Sequence, residues 1–305
     1  MNPIIHNNTE ILTKSIGANT RISEFCVVLE KVVIGTDCNV CSHCSIANDV
    51  IVGDRVTIDC GARLSEGLRI ENDVYIGSNV TFTDHKAGQL GQSPETFVET
   101  VVKVSASIGA NATIFPGLTI GAGAIVGAGS VVTQDVPAGA IVIGNPAQIT
   151  GYSNAEEYHV PEFGSPLLEA LSVQGANLHD LQHVPDLRGS LCVAEFGQQL
   201  PFESNRLFFV YDVPSAKVRG EHAHKQCHQF IICIRGSVHV IIDDGERQQE
   251  LILDRPNLGL HLEPGVWAVQ YQYSNDAILA VLASHSYDEG DYIRDYDEFL
   301  RWKKS

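Results

Sequence analysis

Every sixth residue from Ile16 to Ile76 is aliphatic: Ile16, Ile22, Val28, Ile34, Val40, Ile46, Val52, Ile58, Leu64, Ile70 and Ile76. The residue four places later is small or apolar in nearly every unit, as in Cys26, Val32, Cys38, Cys44, Val50 and Val56, and Gly, Asp, Ser and Asn crowd the places between. The pattern stops after Thr81 and resumes in a new frame at Val102, Ile108, Ile114, Ile120, Val126 and Val132. An α-helix needs anchors spaced by about 3.6 and a simple strand by about 2, so a strict six suits neither. Short straight faces joined by tight corners do suit it, in a parallel β-helix whose anchors point inward and stack from coil to coil.

This repeat resembles the hexapeptide-repeat acyltransferases over residues 16 to 150. The resemblance implies a left-handed coil with three units per turn, assembled as a homotrimer, with the acyl-acceptor site beside a protruding loop between adjacent subunits. Such a loop interrupts the period between Thr81 and Val102. Members that acetylate amino sugars on nucleotide carriers have an F-T-N-D type motif where this chain has Phe82, Thr83, Asp84 and His85. Here Asp84 stands at the Asn position and His85 at the Asp position. An imidazole that titrates near neutrality suits the removal of a proton from an attacking amine, so His85 is the candidate base and Asp84 the candidate orienting group. The rival mechanism needs no protein base, because the amine can be bound neutral.

The closing I-V-I-G-N-P-A resembles the family's last coil and implies acetyl-coenzyme A beside Gly121, Ala122, Gly127, Ala128, Gly144, Pro146 and Ala147. Small residues let a pantetheine arm lie close to backbone amides. Coil corners also need glycine for their own sake, and that reading holds for most of the same positions.

Cys38, Cys41 and Cys44 spell C-x-x-C-x-x-C, a spacing that invites a metal reading. In the repeat frame Cys38 and Cys44 point inward on neighbouring faces and Cys41 points outward, so the three do not converge and packing is the better reading. Cys26 and Cys44, one coil apart, are expected as stacked, reduced neighbours.

The period is lost after residue 150, and the sequence divides into 1–150, a linker at 151–178 containing a short helical P-L-L-E-A-L, and 179–305. Alternating apolar runs follow, among them R-L-F-F-V-Y, Q-F-I-I-C-I, S-V-H-V-I-I-D, L-G-L-H-L and W-A-V-Q-Y, with turns such as D-D-G-E between them. About eight such strands predict a jelly-roll β-barrel, closed by a docked polar helix or tail, so the whole chain is all-β.

R-G-E-H-A-H-K from Arg219 and G-L-H-L-E-P-G-V-W from Gly259 resemble the two cupin motifs. A metal-binding cupin adds a carboxylate and a further His; here those places hold His228 or Gln229, and Ala268. Two imidazoles alone are an incomplete ligand set, so no catalytic metal is expected. The R-G-x-H-A-H-K wording, P-G-V-W and the D-Y-I-R-D-Y tail resemble the thymidine-diphosphate sugar 3,4-ketoisomerases over residues 179 to 305. This implies that His222 or His224 moves the C3 proton of a 4-keto-6-deoxy sugar through an enediol. Arg219 is the candidate oxyanion or phosphate contact and Arg206 a pyrophosphate contact, because a guanidinium grips oxygens bidentately. Lys225 and Gln229 are further substrate candidates. A tyrosine role falls on Tyr211.

Together the resemblances imply a bifunctional ketoisomerase and N-acetyltransferase acting on dTDP-linked keto and amino deoxysugars, with acetyl-coenzyme A as co-substrate. The alternatives are an acetyltransferase whose barrel only binds sugar nucleotide, and a scaffold without activity. Twenty Lys and Arg against 37 Asp and Glu give a net charge of −17, a poor match for nucleic acid or anionic membrane. No apolar run approaches the roughly 20 residues of a membrane span. The opening residues do not read as a secretory signal, which predicts a cytoplasmic protein with its eight cysteines free. Barrel pairing of trimers into a hexamer is the expected upper limit of assembly.

Overall fold

The computed structural model describes residues 2–84, 98–161, 170–187, 189–215 and 217–305. It divides into two compact units, Met1–Ser153 and Asn154–Ser305.

In the first unit the six-residue period becomes a parallel β-solenoid of mostly two-residue strands. Ile22 pairs with Val40, Val40 with Ile58 and Ile58 with Ile76, each 18 positions on, so three hexads make one coil. The second residue of most strands is the buried anchor, and Val28, Val40, Ile46, Ile58 and Ile76 are fully enclosed. The corners explain the polar filler. Asn19, Asp37 and Asp73, with Arg55 in the same column, have φ of 60°, 58°, 61° and 57°, a left-handed conformation that Asn and Asp adopt more readily than branched residues. Gly17, Gly35 and Gly53 form a second column in which the coils nearly touch. A Cβ on Gly35 would lie 2.4 Å from the Gly53 carbonyl oxygen.

Ile76 pairs with Ile108, 32 positions on, so the interruption is accommodated between two coils without loss of register. The last coil ends differently. Ala140–Gly144 lies parallel to Ile125–Val126 on one side and antiparallel to Ala147–Tyr152 on the other. Cys26, Cys38 and Cys44 are buried in the coil, Cys41 lies at its surface, and all are free thiols. The Cys38 and Cys44 sulfurs reach different carbonyls, those of Gly53 and Asp59, each at 3.1 Å.

The second unit is two facing sheets, antiparallel except where Ala155–Glu157 lies parallel to Gln248–Leu253. One runs Ala155–Glu157, Gln248–Leu253, Val238–Asp243, Trp267–Tyr271, Arg219–His224, Tyr292–Ile293; the other runs Ala176–Asp180, Leu258–Leu262, Gln229–Arg235, Ile278–Ala283, Arg206–Tyr211. Val240, Ile242, Leu251, Ile231, Leu260 and Val281 fill the space between them. There are more strands than the expected eight, because the H-x-H segment, part of the polar tail, and Ala155–Glu157 and Ala176–Asp180, which begin in the expected linker, are themselves strands. The S-L-C-V-A run does not join the barrel; Gly189–Val193 pairs with Gln182–Asp186 as a separate ribbon. The tail ends in a helix, Tyr296–Lys303, whose Asp295 cap accepts from the Glu298 N–H and whose Phe299 is wholly buried. The short helix expected at P-L-L-E-A-L lies largely outside the described residues.

Candidate active site

Strand alternation decides which side chains meet inside the barrel. His222 pairs with Ala268 and Arg219 with Gln270, across a register shift between Gly220 and His222. Gly220 and Glu221 have φ of 81° and 51°, the mark of a bulge. Without that extra residue Arg219 and His222, three apart, would face opposite ways; the bulge puts both on the inward face. Arg219 itself is exposed at the rim.

His222 and His224 stand edge to face with ring centres 5.0 Å apart. The Nδ1 of His222 donates to the Gly220 carbonyl at 2.8 Å. The Nδ1 of His224 is 2.7 Å from Asp291 Oδ2, and its Nε2 is 3.0 Å from the Gln229 side-chain nitrogen. With Asp291 ionised, Nδ1 carries the proton and Nε2 keeps its lone pair, which Gln229 meets as a donor. Burial pushes the His222 imidazole down to about 4, against the Gly220 hydrogen bond. Burial also lowers His224, and the Asp291 carboxylate opposes it. Burial alone would raise Asp291, but hydrogen bonds from His224 and from the Gln226 N–H outweigh it and hold the carboxyl below its ordinary range.

Arg206 enters from the opposite sheet. Its guanidinium lies 5.1 Å from the Phe208 ring and 5.7 Å from the Tyr287 ring, its Nε is buried without a hydrogen-bond partner, and its charge depresses both imidazoles. The structure therefore brings together His222, His224, Gln229 and Arg206. Lys225 donates to the Gly290 carbonyl at 2.9 Å and borders an adjoining cavity of about 410 Å³ with Asn205, Tyr287 and Asp291.

Tyr211 does not reach this group. It is five residues from Arg206 on the same strand, an odd separation, and lies on the outer face at 61% exposure. The phenol at the imidazoles belongs instead to Tyr292, whose ring is 4.3 Å from His224 and 4.9 Å from His222, with the Arg294 guanidinium 4.3 Å from it. Asp291, Tyr292 and Arg294 lie within the D-Y-I-R-D-Y string, which sequence reasoning used for the resemblance without giving its residues roles. His228 also faces away, its ring stacked on His261 at 5.3 Å.

In the solenoid, Asp84 follows the Thr81–Phe82 strand with its Oδ1 buried and unpartnered; His85 lies outside the described residues. Gly121 and Gly127 are required by packing: a Cβ would come within 2.4 Å of the Ala138 nitrogen and 2.9 Å of the Ile143 side chain. Ala122 and Ala147 are half-buried, and Ala128, Gly144 and Pro146 are exposed on the last coils.

Residues 174–304 match the family described as FdtA, WxcM-like, C-terminal, and residues 106–134 match the hexapeptide repeat of succinyl-transferase. A TDP-4-oxo-6-deoxy-α-D-glucose-3,4-oxoisomerase of Aneurinibacillus thermoaerophilus is 42% identical over 123 residues, which are 40% of this chain and 88% of the relative. A dTDP-3-amino-3,6-dideoxy-α-D-galactopyranose 3-N-acetyltransferase of the same organism is 48% identical over 148 residues, 48% of this chain and 77% of the relative. A crystal structure of a 3,4-ketoisomerase from Helicobacter canadensis aligns with 39% identity and a TM-score of 0.42, over 43% of this chain and 98% of that one.

Proposed function

Because the chain belongs in its C-terminal half to the sugar-nucleotide 3,4-ketoisomerases and in its N-terminal half to the hexapeptide-repeat N-acetyltransferases, we propose that it carries out two steps in making one acetamido sugar. The barrel converts dTDP-4-keto-6-deoxyglucose to its 3-keto isomer. An aminotransferase then acts between the two steps, and the solenoid transfers acetyl from acetyl-coenzyme A to the resulting 3-amine. Likeness to a galactopyranose acetyltransferase supports the galacto configuration at C4. A homotrimer through the solenoid, with barrels pairing trimers, is the assembly that goes with this reading.

The observation that carries the isomerase half is the His224–Asp291 contact of 2.7 Å. A carboxylate on Nδ1 fixes the tautomer and favours the imidazolium that forms when Nε2 accepts a proton, the arrangement a general base needs. His224 takes the C3 proton, the electron pair moves to give an enediolate, and a proton returned at C4 leaves the ketone at C3. Arg206 supplies the cation for the enediolate oxygen or the diphosphate. His222, held neutral by burial with its proton on Nδ1 towards the Gly220 carbonyl, lies against His224 with a free Nε2 lone pair and relays a proton only after accepting one. Incubation with the 4-keto sugar nucleotide in deuterated water tests this: His224→Asn abolishes deuterium entry at C3, and the product NMR spectrum reads C4. Undiminished exchange in that variant overturns the assignment.

In the solenoid, His85 as base and Asp84 as its orienting group remain the proposed acceptor-side residues, with coenzyme A along the last coils near Gly121, Ala128 and Ala147. Loss of acetyl transfer in His85→Ala, with coenzyme A binding kept, supports this; full activity overturns it.

A further inference from the structure

The H-x-H motif lacks the carboxylate and third histidine of a cupin metal site, yet the fold gathers other ligands behind it. One ring nitrogen of His224, the Cys227 sulfur and an Asp291 oxygen lie within 4.8 Å of one another, the first two residues buried and the third half-buried. We propose that this triplet is an inhibitory site for a thiophilic divalent cation of the Zn²⁺ class, bound through His224 Nδ1, Cys227 Sγ and Asp291 Oδ2. One nitrogen, one sulfur and one oxygen with a fourth position open form a set that Zn²⁺ accepts, whereas Mg²⁺ and Ca²⁺ take oxygens.

Supporting groups are already in place. The second carboxylate oxygen accepts from the Gln226 N–H at 2.7 Å and the Ser284 hydroxyl points at the sulfur from 3.8 Å; Nδ1 and Oδ2, hydrogen bonded at 2.7 Å without an ion, part to about 3.3 Å to share one. Such outer partners orient ligands and stabilise a thiolate. The cavity of about 410 Å³ opens onto Asp291 and gives an ion a route in. On binding, the Cys227 thiol, which otherwise donates to the His228 carbonyl at 3.3 Å, releases its proton to water. The imidazole proton moves from Nδ1 to Nε2, which frees the Nδ1 lone pair for the metal, and the Gln229 amide turns its oxygen to accept from the new Nε2–H. One proton leaves per ion bound. An Nε2 that carries a proton cannot accept one from the sugar, so occupancy stops isomerisation; that inhibition rests on His224 being the base, whereas the binding does not.

Titration of the full chain with Co²⁺ reads the site directly. The expected result is a thiolate-to-cobalt absorption in the near ultraviolet, displaced by Zn²⁺ and lost in Cys227→Ser. Absorption of equal strength in Cys227→Ser, or none in the parent chain, overturns the site. Zn²⁺ is further expected to suppress deuterium exchange at C3 in the parent and not in Cys227→Ser, with a chelator restoring it. Cobalt absorption with exchange unimpeded by Zn²⁺ overturns the inhibition. Absence of exchange before any metal is added removes the isomerase reading and leaves the metal site standing.

Discussion

At His224 the chemistry depends on which ring nitrogen holds the proton, and Asp291 decides it from 67 residues away. Replacing Asp291 by Asn keeps the shape but removes the charge that favours the imidazolium. The expected result is a fall in isomerase kcat of roughly 10²- to 10⁴-fold with little change in thermal unfolding, measured by steady-state kinetics and calorimetry. Arg206→Lys keeps a positive charge but loses the planar fork between Phe208 and Tyr287, and should raise KM for the sugar nucleotide about tenfold or more. H-x-H on one strand fixes a common face for His222 and His224, and the structure has it so; Arg206 and Gln229 stand on other strands, and that motif says nothing of their place beside the pair. Asp291 and Tyr292 were not legible, since nothing local to the tail says which strand it will lie against. Tyr211 was misplaced for a reason the sequence did contain: on one strand it cannot share a face with Arg206, five positions away.

At the scale of the element, the period of six was enough to give the solenoid, its inward anchors and its corners, because each hexad repeats one local problem. Its energetics follow the same repetition. Ile58→Ala empties a fully buried position between Val40 and Ile76 and should cost about 2–5 kcal/mol. Gly35→Ala forces a methyl group onto the next coil's backbone and should cost on the order of 1–3 kcal/mol, read as a shift in thermal unfolding of the first unit. In the barrel, a second cluster lies on the outer face of the five-stranded sheet, where His179, His228 and His261 gather around Phe202 and Phe230. Burial, with His228 and His179 adjacent, pushes His261 down from 6.5 to about 4. The unfolded chain therefore binds protons more readily than the folded one across that interval, and barrel stability falls as pH drops from 6.5 towards 4. Urea midpoints measured through that window should decline, and His261→Gln should flatten the decline.

For the whole molecule, each unit has its own core, and each matches a relative over a different stretch of sequence. Residues 1–153 and 154–305 expressed apart should fold separately, the first keeping acetyl transfer and the second C3 exchange. Loss of either activity on separation, with folding intact by circular dichroism, would mean that the halves depend on each other for chemistry. The final coil carries a consequence of a different kind. Ala147–Tyr152 runs back against Ala140–Gly144, so on that one of the three faces the backbone groups that would otherwise recruit another parallel rung are already taken. Along that face a further parallel rung finds no open parallel edge to pair with, so the last parallel strand is shielded from edge-to-edge addition by the chain's own reversal.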